Sequence, residues 1–253
     1  MSVKLEGSEI SDVVTLENKQ ASKVNMILTK IEEVLKQKKK KDVITINLPG
    51  LDEAGVSVYE AIHEKYNAEI IGNRLFIKFD GAGKEEIHFE LGVSARTYNP
   101  NWFMVSNAIC VVQDAQLRPD LGVWFRRPTY PQRMQPIANR CPSPNVWIEV
   151  FFNNEDRDNA LYKIGVVQQN WSGIEFVGID LPVSNTPYLP NPNPGALSVP
   201  AIPQNSQPRQ APYVIYWDAN NNPVYYKVDS WNEHIVLRCG WTIEFNIVLN
   251  ALT

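Results

Sequence analysis

The feature that most constrains the fold of this chain is an apolar run with one carboxylate at its centre. Residues 146–152 read VWIEVFF, so Glu149 stands among apolar side chains on both sides. Residues such as Val, Ile, Phe and Trp are favoured in strands, and their side chains alternate between the two faces. Burying a carboxylate is costly unless it is paired or bound to a metal. The run therefore predicts a buried strand whose Glu149 faces a partner.

A polar segment and a helix follow this predicted strand. Residues 153–159 read NNEDRDN, and the pattern over residues 155–167 predicts a helix that carries Lys163. A lysine on a helix is ordinarily exposed at the surface. Its long, flexible side chain can also reach back from the helix to a neighbouring site. The sequence alone leaves both alternatives open.

An aspartate that precedes Glu149 in the chain, Asp120, is a second candidate site residue. The segment RPDLGVWF (118–125) predicts a strand on which Asp120 and Gly122 share one face. If this strand pairs with the run around Glu149, both carboxylates can point at a common spot. They would repel each other there unless a cation lay between them, and oxygen-only ligands suit Mg²⁺ or Mn²⁺. Taken singly, each of these residues is more often structural, so the prediction depends on their joint occurrence.

Hydrophobic periodicity predicts helices first and then a strand-rich body. Residues 19–38 carry apolar side chains at helical spacing, whereas AEII-GN-RLFIKF (68–79) has the pattern and the Gly-Asn turn of a hairpin. Residues 1–18 are expected to be irregular, and GAGKEE (81–86) is expected to form a hairpin turn. Further predicted elements are a helix at 56–66, strands near 87–93, 104–113, 173–182, 213–218 and 223–231, and a final strand with a short terminal element over 234–252.

This order predicts an α+β or α/β fold in one domain over residues 45–253. Residues 1–44 are interpreted as an N-terminal extension with an amphipathic helix. Residues 182–212 are dense in Pro, Asn and Ser and are interpreted as a long irregular insertion. The chain has 253 residues, of which 44% are hydrophobic, so it can bury a sizeable core.

Charge and composition argue against several classes of protein. The net charge of −4 gives no whole-protein attraction to nucleic acid or to an anionic membrane. The cysteines are widely spaced without a CxxC pair, and His63, His88 and His234 show no ligand spacing, which argues against a zinc site. No apolar run approaches the roughly 20 residues of a membrane span, and no secretory signal opens the chain. We therefore expect an intracellular protein, cytoplasmic or nuclear, without a membrane partner.

The joint order E…PD…(W)IEV…K resembles the PD-(D/E)xK nuclease superfamily, and more closely its Uma-type restriction endonucleases. The resemblance runs from about Thr45 to the C-terminus. In the simplest superfamily pattern a lysine stands two residues after the strand glutamate, where this chain has Phe151. The Uma-type pattern moves the lysine to the following helix, where this chain has Lys163. The matching blocks are YEAIHEKYNAEIIGNRLFI, RPDLGVWF, VWIEVFFNNEDRDNALYK and YVIYWDANNNPVYYKV.

The resemblance implies a restriction-endonuclease-like mixed β-sheet flanked by helices, and a metal-dependent endonuclease. Glu69, Asp120, Glu149 and Lys163 would be its catalytic residues, and the three carboxylates would hold Mg²⁺ or Mn²⁺. The partner would be a nucleic acid, with DNA expected, and a homodimer would suit a double-strand cutter. The candidate phosphate contacts, which solvated loop charge explains equally well, are Arg118, Arg126 and Arg127.

The sequence also supports a different class of function. The same fold could be a catalytically inactive descendant that acts as a binding or assembly module. Phe151 and Phe152, together with the modest overall charge, favour this alternative. The joint presence of the four candidate catalytic residues favours the enzyme, so the sequence leaves both readings open.

Overall fold

The chain consists of two compact units. A computed structural model gives Met1–Lys78 as the N-terminal unit and Phe79–Thr253 as the C-terminal unit. The division comes after Lys78, whereas the sequence predicts a boundary after residue 44. Most of the predicted insertion at 182–212 lies outside the described residues. The structure describes residues 7–37, 43–79, 81–183, 188 and 211–253.

The N-terminal unit combines helices with antiparallel strands. Its elements are α1 (Gly7–Gln37), β1 (Val43–Asn47), α2 (Val56–Lys65), β2 (Ala68–Ile71) and β3 (Arg74–Lys78). β3 pairs with both β1 and β2, and Gly72 supplies the positive φ of 56° in the turn between β2 and β3. The predicted hairpin is therefore confirmed. Ile31 of α1, Ile62 of α2 and Leu75 of β3 belong to one buried cluster.

Two sequence-based expectations for this unit are wrong. α1 begins at Gly7, although residues 1–18 were expected to be irregular. A helix can continue through a polar segment by propensity and backbone hydrogen bonding, which a search for an apolar stripe does not detect. β1 was not predicted, because Pro49 and Gly50 made the whole segment resemble a break after the first helix. It is a short strand in which Val43, Ile44 and Ile46 are buried.

The C-terminal unit is rich in strands. They form two antiparallel hairpins and a larger mixed sheet. Its elements are α3 (Ala82–Tyr98), β4 (Phe103–Ser106), β5 (Cys110–Val112), β6 (Ala115–Leu117), β7 (Leu121–Trp124), α4 (Tyr130–Met134), β8 (Val146–Phe151), α5 (Asn154–Asn170), β9 (Glu175–Asp180), β10 (Tyr213–Trp217), β11 (Pro223–Lys227), β12 (His234–Val236), β13 (Thr242–Glu244) and α6 (Phe245–Asn250).

The larger sheet has the order β11-β10-β9-β8-β7-β4 in the described part of the unit. β8 and β9 are parallel and the other neighbours are antiparallel. A parallel pair needs a crossover connection, and α5 supplies it between β8 and β9. α3 packs against β4, β7 and β8. The predicted α+β class is confirmed by a mixed sheet flanked by helices.

β8 lies inside this sheet and is covered on both faces. Every residue of the strand is buried. Ile148 and Val150 share a hydrophobic core with Ile87 of α3. Because side chains alternate along a strand, Glu149 points to the opposite face, where Lys163 of α5 contacts it. The fold therefore places the carboxylate of Glu149 beneath a helix, in the interior of the unit.

The structure corrects the interpretation of residues 81–98. These were expected to contain a hairpin turn at 81–86 and a strand near 87–93, but α3 occupies the region from Ala82 onward. Apolar residues at every second position suggested a strand. Two of them, Phe89 and Val93, are 67% and 45% exposed, whereas Ile87 and Leu91 are fully buried at helical spacing. The buried residues of α3 therefore recur every four positions, as in a helix, and not every two positions, as in a strand.

Smaller differences concern strand ends. The strand expected over 104–113 is divided into β4 and β5, and Asn107 between them has a positive φ of 56°. The segment 234–252 contains the β12–β13 hairpin as well as α6. In the part of the chain that the structure describes, no helix combines the length and apolarity that crossing a membrane requires.

Candidate active site

The register of β7 and β8 places the two predicted carboxylates opposite each other. Leu121 pairs with Ile148 in these antiparallel strands. Asp120 immediately precedes Leu121, and Glu149 immediately follows Ile148, so continuation of the register sets them across from one another. Both are fully buried. The condition on which the sequence-based prediction depended, pairing of the two strands, is therefore met, and it brings Asp120 and Glu149 together.

Lys163 reaches this position from α5. Its Nζ lies 2.7 Å from Oε1 of Glu149, and both side chains are fully buried. The same ammonium donates a hydrogen bond of 2.8 Å to the carbonyl oxygen of Arg118. The indole Nε1–H of Trp147 donates to Oε1 of Glu149 at 2.6 Å. Lys163 is thus not an exposed helix lysine, and Glu149 has an ammonium and an indole as its partners.

Asp120 is held by the backbone of the neighbouring strand. Its Oδ2 accepts a hydrogen bond of 2.8 Å from the amide N–H of Val150. This bond extends the β7–β8 ladder by one contact through a side chain. A carboxylate that accepts backbone hydrogen bonds is stabilised in its charged form. This hydrogen bond fixes the position of Asp120 beside Glu149.

His88 is a neighbour that sequence analysis missed. It lies on α3 and is 1% exposed, and its Nε2 is 3.9 Å from Oδ2 of Asp120. On the other side of the ring, Nδ1 is 3.5 Å from Oε2 of Glu85. The strand prediction for residues 87–93 concealed this position. A helical reading would have placed His88 on the buried face with Leu91, three residues later.

Glu69 belongs to the N-terminal unit. It lies on β2, pairs in register with Phe76 of β3, and is fully buried. A glutamate beside a hairpin turn is ordinarily exposed to solvent, whereas Glu69 is fully buried. The catalytic role that the resemblance implies for Glu69 stays a prediction.

A second set of buried polar groups fixes the start of α5. Asn153 caps the helix, because its side-chain oxygen accepts the N–H of Asp156 at 2.9 Å. Oδ2 of Asp156 accepts the N–H of Phe152 and forms an ion pair with Lys84 of α3. Asp156 precedes Lys163 by seven residues, about two turns of helix. This cluster therefore sets the position from which Lys163 reaches Glu149.

The neighbouring residue of α5 makes a bidentate ion pair. Arg157 donates through Nε to Oδ2 of Asp180 at 3.1 Å and through Nη2 to Oδ1 at 3.0 Å. Its Nη1 donates to Oδ1 of Asn154 at 2.8 Å. Arg157 and Asp180 are both buried. The polar segment NNEDRDN thus anchors the helix to the end of β9, a role that the sequence pattern did not reveal.

The predicted phosphate-contacting arginines occupy different environments. Arg126 and Arg127 are exposed, and the guanidinium of Arg127 lies 5.1 Å from the ring centroid of Phe103. Arg118 is half-buried and donates to the carbonyl of Asn107 at 2.7 Å. Arg118 also lines a pocket of about 320 Å³. Other residues lining this pocket include Phe103, Trp124, Gln132, Arg133 and Cys141.

The pKa of the Cys141 thiol in this pocket is lowered from its ordinary value. Its side-chain hydrogen bond with Cys110 lowers the pKa of Cys141, although burial acts in the opposite direction. Both cysteines are free and buried. Cys141 lines the pocket, and Cys110 is its hydrogen-bond partner.

The donor chemistry around Asp120 fits a divalent cation. Asp120 and Glu149 provide carboxylate oxygens from adjacent strands, the kind of ligand that Mg²⁺ and Mn²⁺ prefer. Among the residues that the structure describes, no three His, Cys, Asp or Glu side chains are already grouped as a metal site. Asp120 and Glu149 are the residues that would hold the ion, and Oε1 of Glu149 now contacts Lys163.

Comparison of the sequence with protein-family models and with curated proteins finds no match. Among solved structures, the chain is similar to a crystal structure from Anabaena variabilis described as a "putative nuclease belonging to DUF820". The sequences are 11% identical, and the similarity covers 74% of this chain and 91% of the other, with a TM-score of 0.48.

Proposed function

We propose that the C-terminal unit contains a PD-(D/E)xK-type centre for metal-dependent hydrolysis of phosphodiester bonds in nucleic acid. The observation that carries this proposal is the meeting of Asp120, Glu149 and Lys163. The two carboxylates lie opposite each other on β7 and β8, and the ammonium is 2.7 Å from Glu149. Two acids and a lysine in one buried cluster are the groups that such chemistry requires.

Each residue of the cluster has a distinct role in this proposal. Asp120 and Glu149 would hold Mg²⁺ or Mn²⁺, and such an ion would lower the pKa of a bound water and offset charge on the phosphate. Lys163 orients the attacking water or stabilises the negative charge that develops on the phosphate oxygens. The hydrogen bonds from Val150 and Trp147 hold the two carboxylates in place while they do so.

Nucleic acid is the proposed partner, with DNA as the first substrate to test. Arg126 and Arg127 are exposed and available to phosphate, whereas Arg118 already bonds the carbonyl of Asn107. Contacts to phosphate release counterions, so binding should weaken steeply as salt is added. We therefore expect Arg127→Gln to lower affinity for DNA and to reduce its salt dependence, measured by fluorescence anisotropy. A homodimer stays a prediction.

A second function is favoured by one specific observation. The charge of Glu149 is met by Lys163 and by the Trp147 indole, and all three side chains are fully buried. A cluster paired in this way does not need a metal ion to offset the charge of Glu149. It is therefore compatible with a nuclease-fold descendant that serves as a binding or assembly module.

A nuclease assay separates the two functions. Supercoiled, linear and single-stranded DNA and RNA are incubated with the full chain in Mg²⁺, Mn²⁺ or EDTA. Conservative variants, Asp120→Asn and Glu149→Gln, limit the loss of stability that a buried unpaired charge would cause. Glu90→Gln, an exposed carboxylate on α3, is the matched control.

The enzyme predicts cutting that requires metal, is lost in both site variants and persists in Glu90→Gln. Absence of cutting on every substrate, or cutting that survives both site variants, would overturn the catalytic proposal. In that case the binding module becomes the better account. Glu69→Gln in the same assay tests the predicted role of Glu69.

A further inference from the structure

We propose that His88 is a nitrogen ligand of the metal ion bound by Asp120, and that it makes the site prefer Mn²⁺ to Mg²⁺. This inference rests on the proposed function and specifies its cofactor. His88 was excluded at the level of sequence because it has no ligand spacing. In the folded chain, however, His88 lies close to Asp120, a candidate metal ligand.

The first argument is the environment of the imidazole. His88 is 1% exposed, and in the described part of the chain neither Nδ1 nor Nε2 has a hydrogen-bond partner. A neutral imidazole has one donor and one acceptor, and leaving both unsatisfied in the interior lowers stability. Buried polar groups without partners are uncommon in native proteins and indicate a catalytic role, a water or an ion.

The second argument is the distance to Asp120. Nε2 of His88 lies 3.9 Å from Oδ2 of Asp120, beyond the roughly 3.2 Å limit of a good hydrogen bond. Two ligand atoms that each lie about 2.1 Å from the same ion can be at most about 4.2 Å apart. The observed separation is therefore too long for a direct hydrogen bond and short enough for two ligands of one ion.

The third argument is the group on the other side of the ring. Oε2 of Glu85 is 3.5 Å from Nδ1 of His88, one helical turn earlier on α3. Metal-binding histidines commonly donate their second N–H to a carboxylate, which fixes the tautomer and the orientation of the ring. Glu85 is placed to be this orienting partner, with Nε2 directed toward Asp120.

Metal preference follows from the type of donor atom. Carboxylate oxygens alone suit Mg²⁺, Ca²⁺ and Mn²⁺, whereas an imidazole nitrogen favours transition-metal ions. A site in which Asp120 and His88 bind the same ion therefore accepts Mn²⁺ through both an oxygen and a nitrogen donor. Without His88 the remaining oxygen donors discriminate less between Mn²⁺ and Mg²⁺.

Pulsed electron paramagnetic resonance of bound Mn²⁺ tests the ligand directly. The probe is Mn²⁺ alone, added to the full chain without an affinity tag. The chain has three histidines, so His63→Asn/His234→Asn leaves His88 as the remaining one. We expect a ¹⁴N coupling of the size of a bound imidazole in the unaltered chain and in this double variant. The coupling should disappear in His88→Asn, or in His88→Gln if the first variant does not fold.

Titration calorimetry gives a second readout that is independent of catalysis. His88→Asn should weaken Mn²⁺ binding by at least about tenfold, the lower end of what is lost when a metal-orienting residue is removed. The same variant should leave Mg²⁺ binding nearly unchanged. The control His234→Asn removes an exposed histidine and should alter neither affinity.

The outcomes distinguish the two proposals. Mn²⁺ binding without imidazole coupling in the double variant would overturn the role of His88 and leave the proposed function standing. Failure of the unaltered chain to bind Mn²⁺ or Mg²⁺ would overturn the proposed metal-dependent function and the His88 inference with it. Coupling that persists in a folded His88 variant would also overturn the inference.

Discussion

Two buried ion pairs anchor the same helix, α5, and they differ in the chemistry of the cation and in the residues that surround them. Arg157 satisfies both carboxylate oxygens of Asp180 and also bonds Asn154. Lys163 lies 2.7 Å from Oε1 of Glu149, and the Trp147 indole donates to the same oxygen. Burial is equally complete in both pairs, so burial alone does not separate a structural pair from a functional one.

The residues around each ion pair distinguish the structural pair from the functional one. Close to the Glu149–Lys163 pair stand Asp120, across the register, and His88, whose ring nitrogens lack hydrogen bonds in the described part of the chain. The Arg157–Asp180 pair has the bidentate geometry that makes such pairs strong without any further ligand. We infer that the first pair belongs to a site and that the second belongs to the framework.

The largest expected effect comes from breaking the framework pair. Asp180→Ala leaves the buried guanidinium of Arg157 without its carboxylate, which should cost about 3–5 kcal/mol in free energy of unfolding. Urea denaturation measures this loss, and the Mn²⁺ affinity of the folded fraction should not change. The double variant Arg157→Leu/Asp180→Leu should recover most of the stability, because apolar residues often replace a buried pair without loss. A cost of less than about 1 kcal/mol for Asp180→Ala would contradict a structural role.

The next largest effect is the stabilisation of the folded chain by Mn²⁺, which should depend on the residues around the Glu149–Lys163 pair. With Mn²⁺ at about 100 times its Kd, the unaltered chain should gain about 2.7 kcal/mol of stability through mass action. Asp120→Asn should gain almost none, because a metal ligand is lost, whereas Glu90→Gln should gain the full amount. The measurement is the urea midpoint with Mn²⁺ and with EDTA. Equal gains in Asp120→Asn and Glu90→Gln would show that the ion binds elsewhere.

A smaller effect concerns the indole that shares Oε1 of Glu149. Trp147→Phe removes the N–H donor, and a hydrogen bond to a charged group contributes roughly 1.5–3 kcal/mol. The same substitution in a Glu149→Gln background should cost less, because the acceptor no longer carries charge. A double-mutant cycle from chemical denaturation measures the difference. Equal costs in both backgrounds would mean that the indole acts through packing and not through the carboxylate.

The smallest effect tests the cap that positions the helix for both pairs. Asn153→Ala removes the side-chain acceptor for the N–H of Asp156, and loss of an N-cap typically costs about 1 kcal/mol. Asn153→Gly should cost only a few tenths of a kcal/mol, because glycine is tolerated at this position. Thermal unfolding of the two variants gives the comparison. If alanine and glycine had the same effect, the cap would not contribute to the stability of α5.

Local patterns predicted the parts of the site that lie on regular strands. Alternation along VWIEVFF and RPDLGVWF predicted that Asp120 and Glu149 would share a face if the two strands paired, and the register shows that they do pair. The helix bearing Lys163 was also predicted, because helical spacing resumes after a polar segment. These predictions hold because strand alternation and helix periodicity are properties of a few consecutive residues.

The remaining parts depend on residues far apart in the chain. Lys84 pairs with Asp156, 72 residues away, and no local pattern predicts a partner at that distance. His88 was missed for a different reason, because alternating apolar residues around it imitate a strand. Its helix is instead determined by tertiary packing of Ile87 and Leu91 against the sheet. For the Lys84–Asp156 pair and for the helix that carries His88, tertiary contacts and not the local sequence pattern determined the structure.

The position of β8 between β7 and β9 has a consequence for native-state hydrogen exchange. Amides in central, fully buried strands exchange only when the whole unit unfolds, whereas loops and helix ends open at lower free energy. The β8 amides, including that of Glu149, should therefore be among the slowest to exchange. When segments around β8 open locally, the strand that carries Glu149 should therefore keep its place in the sheet.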